Sequence, residues 1–111
     1  MNVVEHDGLL KASRITGPKH NYLGIAFSEI DKGIELIEKQ LPDDKDSKNL
    51  VNKSSLIGVV QEVVDIEAKR YGQQLFISKI EFVPTDSSDF LAYAKIARAI
   101  ATYALEKTDL D

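Results

Sequence analysis

Pro84 separates a stretch patterned as a β-strand from one patterned as an α-helix. Gln74 to Glu106 must therefore fold as strand, sharp turn and helix, and this unit constrains the rest of the chain. In Leu75–Val83, Phe76, Ile80 and Phe82 fall on one side of a period-2 strand. Leu75, Ile77 and Val83 fall on the other, interrupted by Lys79 and Glu81. Apolar residues on both faces predict an interior strand. Pro84 cannot donate to a sheet ladder and ends it. Ser87 or Ser88 is then positioned to cap a helix, with Asp86 and Asp89 at its positive end.

On a helical wheel Phe90, Tyr93, Ala94, Ile96, Ala97, Ile100, Ala101, Tyr103 and Ala104 share one side, about half the circumference. The alanines let a sheet or neighbouring backbone come close. Lys95, Arg98, Thr102 and Glu106 mark the wet side. Leu91 and Leu105 fall there too, flanking Arg98, so Leu91, Arg98 and Leu105 form a candidate second interface.

A chain of 111 residues is expected to form one domain spanning 1–111, long enough to bury about two-thirds of its unfolded surface. The absence of cysteine excludes disulfides, thiolate nucleophiles and cysteine metal sites. No apolar run approaches a bilayer span and the first residues do not read as a signal peptide, so the expectation is a soluble, cytoplasmic protein that enters no membrane. Net charge is −4, and it is unevenly placed. From Ser28 to Asp46 seven acids (Glu29, Asp31, Glu35, Glu38, Asp43, Asp44, Asp46) face three lysines, which accounts for the whole of it. An acidic chain without a dense basic stripe is a poor nucleic-acid binder; a basic protein surface suits the acidic segment better.

Along the chain, Val3–Glu5, Leu9–Ile15 and Tyr22–Ser28 alternate as strands. Asp7-Gly8 signals a hairpin, and Thr16 to Asn21 reads as a longer turn. Ser28 with Asp31 resembles a capping box opening a first helix, whose apolar stripe is Ile30, Ile34, Ile37 and Leu41 and which Pro42 closes. Asp31, Glu35 and Glu38 would stack along one flank of that helix. Like charges three and four apart cost a few tenths of a kcal/mol each, so the row is either a solvated face or a recognition face. Asp43 to Lys53 reads as a polar loop. From Ser54 or Ser55 to Gly72 a second helix is expected, with Leu56, Ile57, Val60, Val63, Val64 and Tyr71 on one face. Its valines and isoleucines leave open a hairpin of Val60–Ala68 with Leu75–Val83. In the helix, Glu67 projects near the middle of the apolar face, where it pairs with Arg70 or meets a partner.

Candidate chemistry is sparse. His6 and His20 lack metal-ligand spacing and read as turn residues. Gly17-Pro18-Lys19-His20 lacks the glycines of a phosphate loop, and Ser87-Ser88 lacks a nucleophile elbow. Neither catalytic residues, a metal nor a cofactor is expected.

Thr16-Gly-Pro-Lys-His-Asn-Tyr-Leu-Gly24 and the later Phe82-Val-Pro-Thr-Asp-Ser87 with Tyr93-x-x-Ile96-Ala97 resemble stretches of small immunity proteins of bacterial polymorphic-toxin and contact-dependent growth inhibition systems. The likeness covers about a third of the chain and carries over no individual binding residue. It implies a cytoplasmic, bacterial protein that binds and neutralises one toxin domain, often a nuclease.

The expected fold is α+β and two-layered, about four mostly antiparallel strands with three helices on one face, in the order β-β-β-α-α-β-α. The leading function is a non-catalytic inhibitor that binds a basic toxin or enzyme domain through Asp31, Glu35, Glu38, Asp43, Asp44 and Asp46. One alternative is a small ligand-binding domain or enzyme with its site near Arg14, Lys19 and His20. The other is a subunit that self-associates through Leu91 and Leu105.

Overall fold

A computed structural model describes residues 1–17, 19–39 and 50–109 of the chain, with side chains to residue 107. Asp43, Asp44 and Asp46, and most of the polar loop they belong to, lie outside the described residues. The elements are β1 (Val4–His6), β2 (Leu9–Thr16), β3 (Lys19–Ser28), β4 (Glu35–Glu38), α1 (Lys53–Arg70), β5 (Phe76–Phe82) and α2 (Phe90–Asp109). The class is α+β, with one mixed sheet ordered β1-β2-β3-β5-β4. Among the described residues five strands and two helices stand where four and three are expected.

Short connections make the antiparallel part. Asp7 and Gly8, both at positive φ, turn β1 into β2. Thr16 pairs with Lys19, so β3 begins before Tyr22 and takes in His20 and Asn21, which the sequence placed in a turn. β5 adds antiparallel to β3, and its interior position agrees with apolar residues on both faces.

The register shifts between Ala26 and Phe27, leaving Ser78 as an extra residue whose hydroxyl donates to the Ala26 carbonyl at 3.1 Å. This bulge reverses the side-chain parity. Ile77, which strict alternation sets opposite Ile80 and Phe82, joins them in the core.

The expected first helix is a strand. Gly33 has φ +82, outside the helical region, and the Asp31 side chain accepts its N–H at 3.1 Å. Glu35–Glu38 then pairs parallel to β5 across the α1 crossover. The reason lies in the acids. On a helix Asp31, Glu35 and Glu38 would repel along one flank, whereas in β4 Glu35 faces Lys79 and Leu36 faces Ile80. Long-range pairing outweighs a narrow helical stripe.

Residues 60–68 are helical, in α1, which excludes the hairpin alternative. Asn52 caps it, accepting the Ser55 N–H at 3.0 Å, so α1 opens at Lys53, just before the expected start at Ser54 or Ser55. Gly72 at positive φ ends it, with the Gln73 N–H bonded to the Ala68 carbonyl at 2.9 Å. Asp89 caps α2 by accepting the Ala92 N–H at 3.2 Å, a role expected of Ser87 or Ser88.

Leu56, Val60 and Val64 of α1 and Tyr93, Ile96, Ala97 and Ile100 of α2 bury one core with Ala12, Leu23, Ile25, Ile80 and Phe82 of the sheet. Each large aliphatic contributes about 1.5–3 kcal/mol relative to exposure. Because α2 packs on both the sheet and α1, its buried arc extends along Ala97, Ala101 and Leu105. Leu105 is 0% exposed, which corrects its place on the wet side; Tyr103 is the exposed one at 37%.

Candidate functional site

Of the candidate acids, Asp31, Glu35 and Glu38 lie within the described residues, in or just before β4, the last strand of the sheet on that side among the described residues. The Lys39 N–H donates to the Phe82 carbonyl at 2.8 Å. Alternation along a parallel strand then turns the backbone of Glu35 and Ile37 toward β5 and that of Leu36 and Glu38 outward. The outer edge thus presents two N–H and two C=O groups to an incoming strand. Glu29, Asp31 and Glu35 are exposed beside it. Glu38 is partly engaged by Lys53 at 2.8 Å, an exposed pair of small energetic weight. Asp31, Glu35 and Glu38 therefore share one region, as a loop and an edge strand and not as a helix flank.

Behind β4, β5 is held by a polar group on the sheet face away from the helices. The Tyr22 hydroxyl donates a short hydrogen bond to Glu81 Oε1, with Lys11 Nζ 3.8 Å from the same oxygen. Lys39 Nζ lies 4.8 Å above the Tyr22 ring. Burial, then the Glu81 hydrogen bond and charge, push the Tyr22 pKa well up. Gly24 makes room: a Cβ there would lie 3.0 Å from the Tyr22 hydroxyl oxygen.

Arg14 and Lys19 share the β2–β3 hairpin with His20. The His20 Nδ1 is 3.1 Å from Oδ1 of buried Asp86, whose Oδ2 accepts the Tyr22 N–H at 2.8 Å. Buried Asn21 donates to the Ser87 carbonyl at 2.7 Å. Together these tie the Pro84–Ser88 turn to β3. Lys19 pairs distantly with Asp89 at 3.9 Å. Tyr93, fully buried beside this junction, has a hydroxyl without a hydrogen-bond partner among the described residues. Burial pushes its pKa up to about 12; the Asn21 amide, near enough to interact with the hydroxyl but outside good hydrogen-bond geometry, acts against that and the Asp86 charge with it. A cleft of about 630 Å³ opens elsewhere, between Asp31, Gln61, Asp65, Gln73 and Phe76.

Leu91 and Arg98 do converge, with a residue the wheel could not supply. Glu67 of α1 is 3% exposed, and Arg70 Nη1 contacts both its oxygens at 3.0 Å. Arg98 Nε of α2 reaches it at 3.2 Å, and Thr102 Oγ1 at 3.5 Å. The i,i+3 pairing with Arg70 was legible in the sequence; the link to Arg98 across the helices was not. No group of three or more metal-ligating side chains forms among the described residues, and no helix among them is long and apolar enough to cross a membrane.

Comparison with known proteins finds no matching family model, no matching curated protein and no matching solved structure.

Proposed function

We propose that this chain is a non-catalytic, cytoplasmic binding protein that neutralises a basic partner, such as a nuclease toxin domain, as the resemblance to small immunity proteins implies. The observation that carries the reading is the β4 edge: outward backbone groups at Leu36 and Glu38, bordered by exposed Glu29, Asp31 and Glu35. An extended basic segment of the partner adds to this edge, main-chain hydrogen bonds supplying affinity and the carboxylates supplying charge complementarity and a fast on-rate. Asp43, Asp44 and Asp46 follow β4 in sequence and extend the acidic character of the same segment. Binding there blocks the partner by occlusion and asks for no chemistry from this chain.

Affinity purification from the native host with the wild-type chain and with Glu35→Lys/Glu38→Lys tests the proposal. A basic protein recovered with the first and lost with the second supports it. Recovery of the same proteins by both sinks the acidic-edge reading.

A further inference from the structure

A second surface, separate from the β4 edge, has the opposite charge. Along the outer seam of the helical layer, Val63 and Ile66 of α1 and Leu91 and Ala94 of α2 floor a groove of about 350 Å³. Ile66 is 51% and Leu91 67% exposed. Singly exposed apolar side chains need no explanation, but two large ones lining the same groove do. The α2 flank is cationic. Lys95 and Arg98 line the α2 side, with Arg70 close by through Glu67. Glu67 is the one carboxylate among the lining residues, and it is buried and held by both arginines. Two arginines on one carboxylate leave a net positive charge, to which Lys95 adds, in a chain of net charge −4.

The clasp also fixes the floor. Glu67 bonded to Arg98 ties α1 to α2 at the end of the groove, so its apolar residues are preorganised for an occupant. Leu91 to Arg98 spans about two helical turns, roughly 10 Å. That length suits apolar side chains at i, i+3 or i+4 and i+7 of a docked helix.

We propose that the α1/α2 groove binds the apolar face of an acidic amphipathic helix from a partner protein, Leu91 and Ile66 contacting its apolar stripe and Lys95 and Arg98 its flanking carboxylates. It is independent of the β4 edge, which calls for a basic partner segment.

The test is a displayed library of helical peptides of about 16 residues, apolar positions fixed at i, i+3, i+4 and i+7 and flanking positions random, panned against the full chain. Enriched peptides are expected to carry Asp and Glu on their flanks. By fluorescence polarisation the best of them binds Leu91→Asp and, separately, Ile66→Asp about tenfold or more weakly, while melting of both variants matches the wild type. Lys95→Glu shifts preference toward lysine-flanked peptides. Absence of enrichment, enrichment of basic or neutral flanks, or binding unaffected by both aspartate substitutions overturns the proposal. So does a wild-type dimer in sedimentation that Leu91→Asp dissolves, since a second copy is then the occupant.

Discussion

The β4 edge and the α1/α2 groove are both exposed, yet they are built from opposite materials. At β4 the binding groups are backbone amides and carbonyls, and the carboxylates beside them are solvated. In the groove the backbone is consumed by helices, so side chains do the binding, and the charge is positive and anchored on a buried carboxylate. A surface charge can thus be either incidental to stability or part of it. Glu35 can be changed without disturbing a buried group, whereas Arg70 and Arg98 cannot.

Substitutions should separate the two regions, the largest effect first. Arg70→Ala with Arg98→Ala leaves Glu67 buried without a cation and should cost about 3 kcal/mol in urea unfolding; Glu67→Gln, which leaves two solvated arginines, should cost about 1 kcal/mol or less. Equal losses would break the claim that the groove's charge is anchored. Gly24→Ala drives a methyl against the Tyr22 hydroxyl, displaces it from Glu81 and loosens β5 beneath β4, at a cost of about 1–3 kcal/mol.

A third effect is pH-dependent. The folded-state pKa of Tyr93 lies above its unfolded value of 10.0, at about 12, and that of Tyr22 is also raised. Their contribution is fully present below pH 10 and is lost as pH rises toward 12. Tyr93→Phe should therefore unfold less steeply over that window in an alkaline titration monitored by circular dichroism. Removing a buried hydroxyl with no well-formed hydrogen bond should change neutral-pH stability by about 1 kcal/mol or less. The smallest effect belongs to β4: Glu35→Lys/Glu38→Lys should shift stability by about 0.5 kcal/mol, since the groups it changes are exposed.

What was legible in the sequence followed local periodicity and punctuation. The three N-terminal strands, the interior strand ended by Pro84, and both long helices were marked by alternation, by Asp7-Gly8, by Gly72 and by alanine spacing. What was not legible depended on contacts between distant residues. Ile34, Ile37 and Leu41 fit a helix by spacing, and only pairing with β5, more than forty residues on, makes Glu35–Glu38 a strand. Ile77 changed faces because of a bulge at Ser78 that no turn residue announces. Leu105 falls on the wet side of a single wheel, which does not show that α2 packs against both a sheet and a helix. The Asp86 bonds to His20 and Tyr22 cross 64 to 66 residues, so the turn motif offered only the nearer explanation, a helix cap. Of the candidate residues, the acids near β4 kept their neighbourhood and lost their helix, and Leu91 gained Ile66 as its companion in place of Leu105.

In the proposed function a basic partner docks by adding a strand to β4. Amide hydrogen exchange of the chain alone and in complex with the protein recovered from the native host tests it residue by residue. Glu35 and Ile37 already bond toward β5, so their amides should change little. The outward amides of Leu36 and Glu38 should pass from fast to slow exchange in the complex. Unchanged exchange at Leu36 and Glu38 in a saturated complex would contradict it.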